Sequence, residues 1–166
     1  MPPTLSNPRD LFLQLLGELL WTERRLSFDV LPELQKSIRS EGLAAVVEEH
    51  LEQTRKHGPR LEQVFRALDA EPSSNFNPSV EKLEEHHDEL ADNFSNDRLE
   101  DVFHASAAAT TEHHELAAYD ALLALADAIE LSKDARGLLE QNRGEEEEAL
   151  GRFQQERDRL VGELRR

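Results

Sequence analysis

The chain has 166 residues, no cysteine, and a formal net charge of -16 with fifteen arginines against four lysines, a balance typical of proteins from salt-loving organisms. This negative field repels nucleic acids and anionic membrane surfaces, and the absence of thiols excludes disulfides, thiolate metal sites and thiol catalysis. No apolar run approaches the roughly 20 residues that a bilayer-spanning helix needs, so we expect a cytoplasmic protein that binds neither nucleic acid nor a membrane.

The first half of the chain predicts two long helices joined by a tight turn. The first helix spans about residues 9–39, and Pro32 should make it irregular because proline removes one backbone donor. Glu23 interrupts the apolar stripe of this helix. The second helix, about residues 43–69, carries three polar residues on its inner face, which are His50, Thr54 and His57.

The second half repeats this pattern after a loop and a short polar helix. The loop spans residues 70–78, and the short helix, about 80–94, has a length that suits a crossover between two hairpins. A third long helix, about 98–129, and a fourth, about 133–164, complete the chain. Acidic residues again interrupt the apolar stripes: Glu112 and Glu115 on the third helix, and Glu145 or Glu146 on the fourth.

Two short motifs recur at nearly the same distance. Residues 22–25, Thr-Glu-Arg-Arg, are echoed 89 positions later by residues 111–114, Thr-Glu-His-His, and the Leu-Glu-Gln of residues 51–53 recurs 88 positions later at 139–141. A repeat of this length indicates two copies of one helix pair. We therefore predict a single all-α domain over residues 1–166, a ferritin-like four-helix bundle of two antiparallel hairpins with a short crossover helix.

Carboxylates on the inner faces of such a bundle need compensation, because a buried unpaired charge costs several kcal/mol. No apolar stripe places a lysine or arginine beside Glu23 or Glu112. A divalent cation is the remaining compensation, and oxygen ligands combined with imidazole suit iron, manganese or zinc. Glu23 and Glu112 are equivalent in the repeat and should face each other, whereas His50 is interpreted as a core histidine.

The repeat also selects the ligands on the second and fourth helices. His57 corresponds to Glu145, which favours Glu145 over Glu146, although rotating the helix by one residue exchanges the two. Tyr119 can donate a hydrogen bond to one of the carboxylates. The predicted metal ligands are Glu23, His57, Glu112, Glu115 and Glu145.

Several stretches resemble one family across nearly the whole chain. They are residues 50–54 (His-Leu-Glu-Gln-Thr), 60–65 (Arg-Leu-Glu-Gln-Val-Phe), 112–119 (Glu-His-His-Glu-Leu-Ala-Ala-Tyr) and the acidic run 145–148. In these stretches the chain resembles the YciE/YciF stress-protein family of ferritin-like domains. The resemblance implies a bundle with a crossover helix, a homodimer, a di-iron site and a link to stress responses. Such a site would allow ferroxidase- or peroxidase-type oxidation of ferrous iron.

Departures from the family pattern support a different interpretation. The family carries Glu where this chain has Gln53 and Gln141, and the Glu-x-x-His unit of ferritins is absent because Thr54 and Asn142 occupy its first position. Amide oxygens bind iron weakly and bring no negative charge. The alternative is therefore a ferritin-like domain with a degraded metal site that acts as a structural or interaction protein.

Overall fold

The computed structural model describes residues 4–165. In chain order the helices are α1 (Pro8–Arg25), a π-helical segment (Leu26–Val30), α2 (Leu31–Ser37), α3 (Glu41–Ala67), α4 (Pro78–Ala91), α5 (Asp97–Leu125) and α6 (Lys133–Leu164). Five of these described helices begin after a residue whose side-chain oxygen accepts a hydrogen bond from the first turn. These N-cap residues are Asn7, Ser40, Asn77, Asn96 and Ser132. Each cap satisfies backbone donors that the helix itself leaves unpaired, which is why the helices begin there.

The continuous rod of α1, the π-helical segment and α2 forms a four-helix bundle with α3, α5 and α6. Helix α1 packs against α3 and α5, and α6 packs against the same two helices. Short connections make α2 and α3, and likewise α5 and α6, antiparallel neighbours, while α4 crosses between the two hairpins and packs on α5. The predicted ferritin-like four-helix bundle with a crossover helix is therefore confirmed. Among the described helices, none is long and apolar enough to cross a bilayer.

The irregularity expected near Pro32 takes the form of the π-helical segment. The Leu31 N–H donates to the carbonyl of Leu26, five residues earlier, whereas an α-helix uses the carbonyl four residues earlier. Pro32 follows at the start of α2 and contributes no donor. The rod consequently contains one wide turn, beginning three residues after Glu23, and its helical part ends at Ser37 rather than at residue 39.

A polar layer divides the apolar core into two clusters. The first cluster includes Leu43, Val47, Ala149 and Phe153 together with apolar residues of the π-helical segment and α2. The second cluster includes Phe12, Leu16, Leu61, Leu122 and Leu139. On each of the four long elements, buried polar side chains lie between residues of the first cluster and residues of the second. The fold thus brings the polar interruptions of all four elements to one level of the bundle.

Candidate metal centre

Six ligand-type side chains in the described part of the chain meet in this polar layer. Each is at most 2% exposed to solvent. They are Glu23 on α1, His50 and His57 on α3, Glu112 and Glu115 on α5, and Glu146 on α6. Helical periodicity explains the placement, because residues three, four or seven positions apart share one face.

The six side chains form two groups that share one member. In each group, one ligand atom from every residue lies within 4.8 Å of the others. The first group is Glu23, His57 and Glu146, and the second is His50, Glu112, Glu115 and Glu146. The two carboxylate oxygens of Glu146 face different groups: Oε1 is 2.7 Å from His57 Nδ1, and Oε2 is 3.6 Å from His50 Nε2. Glu146 therefore links the two groups through its two carboxylate oxygens.

The remaining distances within the two groups are also short. In the first group His57 Nδ1 is 3.2 Å from Glu23 Oε2. In the second group His50 Nε2 is 3.0 Å from Glu112 Oε1. Among residues 4–165, no lysine or arginine forms an ion pair with any of the four buried carboxylates.

Several oxygens of the centre have no hydrogen-bond partner in the described residues. Both oxygens of Glu115 are unpartnered, and so are Glu112 Oε2 and Glu146 Oε2. Native proteins leave few buried polar atoms unpaired, because each costs the free energy of its lost hydration. Oxygens that converge in this way form the donor set that a hard divalent cation requires. The residues present thus fit a metal centre.

Burial and mutual proximity shift the pKa values of the cluster residues. Burial raises the pKa values of Glu112 and Glu146 to about 7, and it raises those of Glu23 and Glu115 as well. Burial opposes the charge of His57, but Glu23 and Glu146 beside it raise its pKa to about 11. Carboxylates crowded into a dry site retain protons near neutral pH, and a cation can take the place of those protons.

Polar neighbours fix the orientation of the first group. The Tyr119 hydroxyl donates a hydrogen bond to Glu23 Oε1 and accepts one of 3.0 Å from Asn142 Nδ2. Asn142 Nδ2 also donates to the main-chain carbonyl of His57, at 3.3 Å. Thr54 is buried but directs its hydroxyl to the His50 carbonyl of its own helix, at 2.8 Å. The residues at the first position of the missing Glu-x-x-His units, Thr54 and Asn142, thus satisfy backbone carbonyls near the centre.

The structure brings together four of the five predicted ligands, and Glu145 is the exception. The Glu145 side chain is 21% exposed and accepts hydrogen bonds from His57 Nε2, at 2.8 Å, and from Arg60 Nη1, at 2.9 Å. Glu146 points into the cluster in its place. The physical reason is the rotation of about 100° per helical residue, which separates adjacent side chains by more than a quarter turn. The structure thus places Glu146, the alternative that the sequence left open, inside the cluster and Glu145 at its edge.

His50, interpreted from the sequence as a core histidine, is buried with its Nε2 atom 3.0 Å from Glu112 Oε1, and it also belongs to the second group of candidate ligands. It lies seven residues before His57 on α3, so the two imidazoles share one face of the helix, and this spacing was the available signal. Gln53 is half-buried, whereas Gln141 is exposed and donates a hydrogen bond of 3.3 Å to Glu145 Oε1.

Fold and centre together define a class: a four-helix bundle with one crossover connection and inward carboxylates and imidazoles is a ferritin-like protein. Comparison with known proteins then gives the family. Residues 7–163 match the model of the family described as Domain of unknown function (DUF892), and the chain therefore belongs to this family.

Individual relatives agree with this assignment. The chain is 28% identical to Protein YciF of Escherichia coli strain K12 over 135 residues, which cover 79% of each protein. It is similar to the solved structure of YcfI from Rhodopseudomonas palustris, with a TM-score of 0.88, 27% identity, and coverage of 93% of this chain and 97% of that one. The crystal structure of the E. coli stress protein YciF gives a TM-score of 0.88 at 24% identity, covering 95% of this chain and 99% of that one. The resemblance to the YciE/YciF family is therefore confirmed.

Proposed function

We propose that this protein is a ferritin-like stress-response protein that binds two divalent metal ions, with iron as the leading candidate, in the buried Glu and His cluster. The observation that carries the proposal is the set of unpartnered carboxylate oxygens in a layer without lysine or arginine among the described residues. Four ionised carboxylates balance two divalent cations while both histidines stay neutral. The link to stress rests on YciF, which is described as a stress protein.

Each residue of the cluster has a role in this proposal. Glu146 would bridge the two positions, and the other five side chains would hold the ions on either side, with Tyr119 orienting Glu23. Bound ferrous iron would supply electrons for the reduction of dioxygen or a peroxide. Oxygen and imidazole ligands also suit manganese and zinc. Because Glu112 and Glu146 have pKa values of about 7, they would release their protons as a cation binds near neutral pH.

The test measures metal content in a matched pair of variants. Glu146→Gln removes the shared carboxylate, whereas Glu148→Gln makes the same change at an exposed position on the same helix. Protein loaded anaerobically with ferrous ions and freed of excess metal should contain about two ions per chain in the wild type and in Glu148→Gln, and at least about one fewer in Glu146→Gln. The same loading with manganous or zinc ions, in separate experiments, shows which metal the protein retains best.

Either of two results would contradict the proposal. One is a folded wild-type protein that retains no metal, and the other is equal metal content in both variants. Circular dichroism of each variant shows whether the helices are intact, so that a loss of metal is not confused with a loss of fold.

One observation favours the alternative of a structural or interaction protein without a metal. His57 lies against Glu23 and Glu146, and the pKa values of all three are raised. A protonated His57 with partly protonated glutamates would compensate the cluster without any cation. The dependence of thermal stability on metal and pH separates the two functions.

A further inference from the structure

A cavity of about 600 Å³ lies between the π-helical segment with α2, the crossover helix α4, and α5. A water molecule occupies about 30 Å³ of liquid, whereas pockets for small organic ligands measure about 300–1,000 Å³. The cavity is therefore far larger than dioxygen or hydrogen peroxide requires. Its size fits an organic molecule of moderate length.

Part of the lining of the cavity is aliphatic and aromatic. Its apolar residues include Leu31 and Leu34 of the first rod, Val80 and Leu83 of α4, and Phe103 and Ala107 of α5, and the other lining residues include polar and charged side chains. Apolar walls favour an apolar ligand, because each buried CH₂ group gains about 0.8 kcal/mol on leaving water. An alkyl chain is the simplest occupant with the right volume and polarity.

The lining of the cavity also includes Glu112 of the candidate metal centre. Glu112 is buried, and its Oε2 atom has no hydrogen-bond partner among the described residues. His104 lines the same cavity and is 1% exposed; its Nδ1 atom is 2.9 Å from His87 Nε2. The nearest carboxylate oxygen to His104 Nε2 is Glu100 Oε1, at 3.5 Å. The cavity thus adjoins the candidate metal centre at Glu112 and borders the buried His104.

The outer part of the cavity carries negative charge. Its exposed lining residues include four acids, which are Asp29, Glu33, Asp88 and Asp92. Arg25 is the arginine of the lining, and it already pairs with Asp29 and Glu84. Acidic groups at an opening repel carboxylates, phosphates and other anions. The opening therefore disfavours a ligand with an anionic head group.

We infer that this cavity binds an uncharged aliphatic molecule with its polar end toward Glu112, and that the ligand class is an organic hydroperoxide. The reaction part of this inference rests on the proposed function. With ferrous ions as the reductant, the balanced step is ROOH + 2 Fe²⁺ + 2 H⁺ → ROH + H₂O + 2 Fe³⁺. The O–O bond breaks, two ferrous ions each lose one electron, and two protons complete the alcohol and the water.

Binding is tested on the metal-free full chain with 1-octanol, the unreactive alcohol that corresponds to the product. Octanol titrated into methyl-labelled protein should shift the NMR signals of Leu34, Leu83 and Val80, which line the cavity. The signals of Leu61 and Val64, in the second apolar cluster, should stay unchanged. This measurement on the wild-type chain locates the ligand without any variant.

Two matched variants then test the cavity itself. Ala107→Phe places a ring in the cavity, whereas Ala117→Phe makes the same change at an exposed position of α5. Octanol affinity should fall at least about tenfold in Ala107→Phe and stay within about twofold of wild type in Ala117→Phe. Octanoate should bind at least about tenfold more weakly than octanol, because of the acidic opening.

Several results would overturn the inference. One is an absence of saturable octanol binding, and another is a set of NMR shifts confined to the second apolar cluster. The others are an equal loss of octanol affinity in both variants, or binding of octanoate or octylamine as tight as that of octanol. Because the assay uses metal-free protein, its failure is independent of the metal stoichiometry that tests the centre. In iron-loaded protein, Ala107→Phe should slow iron oxidation by octyl hydroperoxide more than it slows oxidation by hydrogen peroxide.

Discussion

Tyr119 shows how much one buried hydroxyl contributes to the centre. It donates to Glu23 and accepts from Asn142, and its side chain is fully buried. We expect Tyr119→Phe to lower the free energy of unfolding of the metal-free protein by about 1.5–3 kcal/mol, because it removes a hydrogen bond to an ionisable group. Urea unfolding measures this value. The control is Thr110→Ala, which removes an exposed hydroxyl bonded to its own helix and should change the free energy of unfolding by less than about 0.5 kcal/mol. Equal stability of Tyr119→Phe and wild type would contradict the expectation.

The sequence located some residues of the centre but left others undecided. Periodicity placed Glu23, Glu112 and Glu115 on inner faces because each interrupts a clear apolar stripe. The preference for Glu145 over Glu146 came from the internal repeat, which aligns Glu145 with His57 but does not fix the rotation of the helix, and a rotation of one residue decides between neighbours. The packing of α6 against α5 and α3 fixes that rotation.

At the scale of a single helix, α6 carries glycines that its packing does not need. A Cβ atom built on Gly144 meets no heavy atom within 4 Å, and the position is exposed. We expect Gly144→Ala to raise the free energy of unfolding by about 0.5–1 kcal/mol, because alanine loses less backbone entropy in a helix. Gly17→Ala is the opposing control, since its Cβ would lie 2.7 Å from Asn75 Cγ and 3.0 Å from the Ser73 carbonyl oxygen. Urea unfolding of both variants should give opposite signs, and a loss of stability in Gly144→Ala would be inconsistent with an open position.

Helix positions were more predictable than helix irregularities. The starts of α3, α4 and α5 lie one or two residues before the predicted ones, because the N-caps Ser40, Asn77 and Asn96 lie next to clear apolar periodicity. The π-helical segment was anticipated only as an irregularity at Pro32. Its form depends on the hydrogen bond from Leu31 to Leu26, which local sequence patterns do not specify.

For the whole molecule, the polar layer should couple stability to pH. In the metal-free protein Glu112 and Glu146 hold their protons up to pKa values of about 7, compared with 4.5 for unperturbed glutamate. Their contribution to stability is complete below pH 4.5 and is lost as the pH rises through about 7. His57 acts in the same direction, because its pKa is raised from 6.5 to about 11 and its contribution is lost between these values. The melting temperature of the metal-free protein should therefore fall from about pH 5 to about pH 8.

Divalent metal should reverse this trend, because the cation and the protons compete for the same carboxylates. Anaerobic melting with millimolar manganous or ferrous ions should show a rise in melting temperature that is small near about pH 5 and grows toward about pH 8. Glu115→Gln, which removes a carboxylate with two unpartnered oxygens, should reduce the rise, and the exposed Glu148→Gln should leave it unchanged. A ligand that binds only the folded state must raise the midpoint. If metal causes no rise at any pH, the cluster is compensated by its own protons, and the structural or interaction role replaces the metal-binding one.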